Sequence, residues 1–169
     1  GVGQLIVAEL VEHPGRVEFH GDTQAENWRV TLADTGLSTM TGSRVAKIRK
    51  YLGNDREFFL TYADGVAPVD LRALLEFHRK SGKLATVTGV KPESRFGEMQ
   101  VDGGEVRAFA EKPPVAAGRV NGGFFVVQRA FIERYLLDDS DRLILEKDAL
   151  PACARDGQLA CFDHDDFWQ

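Results

Sequence analysis

The sequence predicts an α/β fold, a mixed and mostly parallel sheet flanked by helices, and three stretches carry that reading. Phe58 to Gly65 reads Phe-Phe-Leu-Thr-Tyr-Ala-Asp-Gly, a short apolar and aromatic run of the kind that forms a buried strand and stops at an acid and a glycine. Behind Asp70, a favourable N-cap, Leu71, Leu74, Leu75 and His78 recur at helical spacing until Gly82 closes the helix. Lys83 to Val90, with Leu-Ala-Thr-Val-Thr at its centre, is the next strand. Strand, helix and strand make a βαβ unit and imply a parallel pair.

A chain of 169 residues is about one ordinary domain, and the absence of a repeat, a low-complexity tract or a linker makes residues 1–169 a single domain in this reading. Hydrophobic residues at 43% and charged residues at 28% are the balance of a soluble globular protein. Neither a bilayer-length apolar run nor a charged-then-apolar leader stands in the sequence, so no membrane partner and a cytoplasmic location are expected. The net charge of −5, with acids and bases interspersed, argues against a sequence-independent grip on nucleic acid. A small anionic ligand needs only a few local cations and remains compatible. Cys153 and Cys161 have neither metal nor disulfide spacing and are read as small apolar core residues.

From the start, Gly1-Val2-Gly3 leads into Gln4 to His13, where Leu5, Ala8 and Val11, with Ile6 and Leu10, fall at helical spacing before Pro14-Gly15. No strand is expected ahead of it. Arg16 to His20 and Trp28 to Leu32 alternate apolar and polar residues as strands do. Asp34-Thr35-Gly36 and the hydroxyl-rich Ser38-Thr39-Met40-Thr41-Gly42 precede a helix burying Val45, Ile48 and Leu52, with Arg44, Lys47, Arg49 and Lys50 mostly turned away. Free amides at that helix start could receive an anion.

The Phe58 strand ends at Asp64, where a carboxylate beyond a strand end could hold a hard cation against a phosphate, or could simply be part of an Asp-Gly turn. His78 is expected to be partly buried or at the surface, since no second histidine or cysteine stands at metal spacing. Arg95 to Val101 and Glu105 to Ala110 form a hairpin around Asp102-Gly103-Gly104. Glu111-Lys112-Pro113-Pro114 is a rigid connection to the strand Val120 to Val127, and the paired glycines after Asn121 suggest a close approach to the backbone. The rest is mostly helical to Arg155, with a last strand from Gln158 to Phe162.

Seven motifs now stand in order: Val30-Thr31-Leu32-Ala33-Asp34-Thr35-Gly36, Thr41-Gly42-Ser43-Arg44, Phe59 to Val66, Arg95-Phe96-Gly97, Glu111-Lys112-Pro113, Asn121-Gly122-Gly123-Phe124-Phe125 and Phe167-Trp168-Gln169. Each is weak alone. Their joint order resembles the sugar-1-phosphate nucleotidyltransferases, and the first two resemble the cytidylyl branch of that family. The resemblance implies a Rossmann-like fold with a small β-hairpin insertion over the sugar site. It also implies a reaction of CTP with α-D-glucose 1-phosphate that gives CDP-glucose and pyrophosphate.

By the same resemblance Asp64 is a catalytic residue and a Mg²⁺ ligand, and Lys112 is a catalytic cation reaching the sugar phosphate. Glu111 and Asn121 meet sugar hydroxyls, while the backbones of Gly97 and Gly122 let the sugar ring lie close. Thr35, Gly36, Thr41, Gly42 and Arg44 belong to the cytosine and ribose pocket. A homo-oligomer, trimer or hexamer, is implied as well. The family's glycine-rich Thr-Arg loop and its second metal-binding aspartate are not in the sequence, so the chain is expected to be incomplete at both ends. Ala63 and Ser43 stand where the family has glycine; Ser43 is expected to do little. The alternatives are a relative using another base or sugar phosphate, and a non-catalytic sugar-nucleotide-binding module.

Overall fold

Trp28 to Leu32 alternates as a strand should, and in the computed structural model, which describes residues 3–9, 28–92, 98–110, 118–137 and 140–169, Trp28–Asp34 is strand β2. Its partner corrects the reading of the amino-terminal stretch. Gly3–Glu9 is not a helix but strand β1, parallel to β2 from Gly3↔Trp28 to Glu9↔Asp34. A run as uniformly apolar as Leu5-Ile6-Val7-Ala8 satisfies a period of two as well as one of 3.6, and its β-branched Ile6 and Val7 favour extended backbone. A neighbouring strand decides between the two. The remainder of the expected helix and the expected strand Arg16 to His20 lie outside the described residues.

The chain divides into two compact units, Gly1–Arg56 with Gln128–Asp156, and Glu57–Val127 with Gly157–Gln169. In the first, α1 (Thr41–Ile48) runs into a single 3₁₀ turn at Arg49–Tyr51. Val45, Ile48 and Leu52 are buried, as their spacing required. α3 (Arg129–Tyr135), a π-helical turn (Leu145–Ala149) and α4 (Leu150–Arg155) are the other helical elements of this unit among the described residues. Phe131, Ile132, Leu145 and Cys153 form its deepest core.

The second unit holds a four-stranded sheet in the order β3-β7-β4-β8, from Glu57–Thr61, Val120–Gln128, Ala85–Val90 and Leu159–His164. β4 runs parallel to β8 and antiparallel to β7. The expected βαβ unit does not place β3 beside β4: β7 is inserted between them. Among the described residues β3 is therefore an edge strand of this sheet rather than a buried one. It stops at Thr61, and Phe59 is 46% exposed.

α2 (Leu71–Ser81) lies on β4 and β8 with both of its sequence signals in place. The Asp70 carboxylate accepts from the amides of Arg72 and Ala73, each at 3.0 Å, and Gly82 takes the left-handed cap conformation. His78 is fully buried, contrary to the expectation of a partly buried or surface residue, because its position on α2 faces β4 and its Nδ1 lies 2.8 Å from Thr86 Oγ1. Cys161 is exposed rather than a core residue, since it occupies the outermost strand of this sheet. The hairpin is as read: β5 (Glu98–Asp102) and β6 (Glu105–Ala110) pair antiparallel around Gly103-Gly104. No helix among the described residues is long and apolar enough to cross a membrane.

Candidate functional site

The topology of the second unit brings several strand ends to one edge. β4 and β8 are parallel and finish together at Val90 and His164. β7 is antiparallel to β4 and begins there, with Asn121 opposite Gly89 and Val120 opposite Val90. β3 finishes there too, since Tyr62 N, just past its last residue, donates to Gly123 O at 3.3 Å. Open α/β sheets bind ligands at such an edge.

Asp64 lies in the turn that leaves β3 at this edge, exposed, and its carboxylate has no hydrogen bond or ion pair among the described residues. The loop itself is fixed. Val66 N donates to Gln169 O at 2.8 Å and Gln169 N donates to Val66 O at 3.0 Å, while the Trp168 indole donates to Gly122 O at 2.9 Å. The closing Phe167-Trp168-Gln169 thus braces the segment after Asp64 against the start of β7. A hard cation such as Mg²⁺ is commonly bound through one or two carboxylates together with substrate phosphates and water. One free, exposed carboxylate at a strand-end edge fits one such position; no group of three or more His, Cys, Asp or Glu side chains stands together among the described residues.

Asn121 is exposed but oriented at both ends of its amide. Its Oδ1 accepts from Gly123 N at 2.9 Å and its Nδ2 donates to the Tyr62 hydroxyl at 3.3 Å. A second amide proton and a second lone pair are left to offer. The paired glycines answer to the protein's own backbone and Tyr62. A Cβ on Gly122 would stand 2.7 Å from Val90 Cγ1, and Gly123 has φ +81° with a Cβ position 3.0 Å from the Tyr62 ring. Gly97, Glu111 and Lys112 lie outside the described residues.

Arg119 is a member of this edge that sequence reasoning missed. Its guanidinium donates to Gly89 O at 3.0 Å and to Asp165 Oδ1 at 2.9 Å, and its Nε pairs with Asp163 Oδ1 at 2.8 Å. The Arg119 hydrogen bond is the main reason that the Asp165 carboxyl is held below the usual carboxylate range. Five donors on one planar group let it tie the ends of β4 and β8 together.

In the first unit the residues expected around a base are largely engaged with the chain's own 140–146 segment. Thr41 Oγ1 donates to Glu146 Oε2 at 2.8 Å and accepts from Leu145 N at 2.9 Å. Gly42 has no room for a side chain, since a Cβ there would stand 2.2 Å from Leu143 Cδ2 and 2.9 Å from Leu143 O. The Ser43 amide, one of the helix-start donors read as free for an anion, donates instead to Leu143 O at 3.1 Å. Ser43 does far more than the little expected of it. Its buried hydroxyl donates to Ser140 O at 2.6 Å and accepts from Leu143 N at 3.1 Å.

Thr35 is buried, and its hydroxyl accepts from Arg44 Nη1. Gly36 follows in a turn in which its amide donates to Asp34 Oδ1 at 2.9 Å. Lys47 and Asp141, which sequence reasoning did not single out for a site, stand behind this turn. Lys47 Nζ donates to Thr35 O at 2.7 Å, Thr39 Oγ1 at 3.0 Å and Asp141 Oδ1 at 2.6 Å. Hydrogen bonds from Lys47 first, and from Thr39 second, hold the Asp141 carboxyl below the usual carboxylate range. Nothing local in the sequence joins these residues, which are 94 positions apart.

Comparison with known proteins agrees with the family resemblance. The family described as nucleotidyl transferase matches residues 4–169. The glucose-1-phosphate cytidylyltransferase of Salmonella typhi is 42% identical over 154 residues, 91% of this chain and 58% of that protein. The probable glucose-1-phosphate cytidylyltransferase of Bacillus subtilis is 38% identical over the same shares. The mannose-1-phosphate guanylyltransferase catalytic subunit beta of Danio rerio is 27% identical over 99% of this chain and 48% of its own length. The chain therefore spans about half the length of these relatives, 48% to 58%. Among solved structures, HddC from Yersinia pseudotuberculosis has the same fold with a TM-score of 0.60 at 20% identity, covering 84% of this chain and 61% of that one. On the match along nearly its whole length and on these identities, the chain belongs to the nucleotidyl transferase family.

Proposed function

We propose that the complete protein is a Mg²⁺-dependent, cytoplasmic glucose-1-phosphate cytidylyltransferase. The observation that carries the reading is the 42% identity to the Salmonella typhi cytidylyltransferase across 91% of the chain. A phosphate oxygen of glucose 1-phosphate forms a bond to the α-phosphorus of CTP, the bond from that phosphorus to the bridging oxygen breaks, and pyrophosphate leaves. Such chemistry asks the protein for positioning and charge neutralisation and little covalent work. Mg²⁺, when bound, neutralises charge on the phosphate oxygens of the two anionic substrates.

The chain's own residues supply the rest. Asp64 offers an oxygen ligand from a braced loop, and Asn121, oriented by Gly123 and Tyr62, offers its remaining amide groups to sugar hydroxyls. Thr35 and Gly36, backed by Arg44, present their turn to the base and ribose. Lys112 and Glu111 are assigned to the sugar phosphate and the sugar hydroxyls on the motif alone. The enzyme in this reading is a homo-oligomer, a trimer or hexamer, which sedimentation of the full-length protein measures.

A second reading has an observation of its own: the likeness to a mannose-1-phosphate guanylyltransferase subunit leaves both the base and the sugar open to exchange. Pyrophosphate release by the full-length protein, measured across CTP, UTP, dTTP, GTP and ATP with several hexose 1-phosphates, separates the two. Fastest turnover with CTP and glucose 1-phosphate is expected. Faster turnover with any other NTP sinks the cytidylyl assignment.

A further inference from the structure

The turn Asp34 to Met40 owes its shape to groups that touch no substrate in the proposed reaction. Lys47 sits one turn into α1 beyond the proposed pocket residues, and its ammonium carries three protons. All three have acceptors in different places: the backbone carbonyl of Thr35, the hydroxyl of Thr39 and the carboxylate of Asp141. The Thr39 hydroxyl lies 2.5 Å from Thr35 O and 3.1 Å from Asp141 Oδ1, with one proton to share between them. Met40 N closes the arrangement by donating to Asp141 O at 2.8 Å.

An ion pair this exposed, with Lys47 at 40% and Asp141 at 54%, adds little to folding stability. Its geometric effect is larger. Lys47 holds the carbonyl of Thr35, so it fixes the peptide plane from which the Gly36 amide emerges, while Arg44 fixes the Thr35 hydroxyl. Asp141 in turn fixes Lys47, and it comes from a segment already bonded to Thr41 and Ser43.

We propose that Lys47 and Asp141 are positioning residues for nucleotide binding, setting the Thr35-Gly36 turn that reads the base. The inference rests on the nucleotidyltransferase reading, but not on which base is used. A displaced turn weakens every contact made from it, and a binding group held even slightly out of place loses much of its effect.

The test uses the full-length protein with whichever NTP the wild type prefers. Lys47→Met, which keeps the apolar stem and removes the charged head, and Asp141→Asn are each expected to raise KM for that NTP about tenfold, the scale of a lost charge-assisted hydrogen bond. KM for the sugar phosphate and the midpoint of thermal unfolding stay at wild-type values. Lys47→Arg, which keeps the charge and several donors, recovers part of the loss, and the double variant Lys47→Met with Asp141→Asn is no worse than either single change. An unchanged NTP KM overturns the proposal, as does an equal rise in both KM values with a lowered unfolding midpoint, which is the signature of general structural damage. A wild type that turns over UTP in place of CTP overturns the base assignment and leaves this test intact; a wild type that turns over no NTP overturns both.

Discussion

Asp64 combines two properties that rarely serve folding: its carboxylate is exposed with no partner among the described residues, and the backbone after it is held by a reciprocal pair of hydrogen bonds between Val66 and Gln169. Replacing it therefore changes charge with little effect on the fold. Asp64→Asn in the full-length protein is expected to leave the unfolding midpoint within about 2 °C, as surface substitutions do. Turnover falls by about 10²-fold or more, the scale of losing one preorganised charge-stabilising group. Circular dichroism melts and a Mg²⁺ titration of pyrophosphate release check both halves. His78 is the opposite case, wholly buried, with its Nδ1 beside Thr86 and no partner for Nε2 among the described residues. Burial, its largest influence, lowers its pKa from 6.5; Glu57 raises it and Arg79 lowers it. As pH falls the unfolded chain takes up this proton before the folded one, so the stability tied to neutral His78 is present above pH 6.5 and is lost below it. Urea midpoints are expected to be flat from pH 7 to 8 and to fall from pH 6.5 downward, and His78→Gln removes up to about 1.4 kcal/mol per pH unit of that slope, the linkage of one proton. An unaltered slope in the variant refutes the assignment.

At the scale of elements, the turn into α1 gains its order from a partner about a hundred residues away. Ser43 bonds both Ser140 O and Leu143 N, so Ser43→Ala takes a side-chain hydrogen bond from each of two part-buried backbone groups. The expected cost is about 1–3 kcal/mol of unfolding free energy, read from the shift of a denaturant midpoint; a shift near zero would show that water replaces the hydroxyl. Such pairings explain which elements were legible. α2 could be read from Asp70, four apolar-face positions and Gly82, because capping and helical period are local. The β5–β6 hairpin could be read from Gly103-Gly104 for the same reason. β1 could not, since Leu5 to Ala8 fits either period and only its pairing with β2 settles it. The insertion of β7 between β3 and β4 is likewise a non-local fact. The candidate site divides along the same line: Asp64 announces itself as an acid after an apolar run, whereas Lys47 with Asp141, and Arg119 with Asp165, are joined only by folding.

For the whole molecule, the proposed function turns on which nucleotide the full-length protein prefers. A net charge of −5 offers this chain no general attraction to a triphosphate, so under the proposed function binding comes from a local constellation and from the cation that accompanies the nucleotide. Binding by a local constellation is expected to be selective, and binding shows in stability: a ligand at about 100 times its Kd adds about 2.7 kcal/mol to the folded state. For a domain of this size class that corresponds to a rise of about 5–10 °C in the unfolding midpoint. The full-length protein is therefore expected to melt that much higher with CTP and Mg²⁺, less with UTP, dTTP, GTP or ATP, and to lose the increment when EDTA removes the metal. Pyrophosphate release on adding glucose 1-phosphate then separates the enzyme from a binding module that keeps the fold, because a module shifts the midpoint and releases nothing. Equal shifts with all five nucleotides would mean that the Thr35-Gly36 turn reads no base, and would count against the cytidylyl preference proposed for the full-length protein.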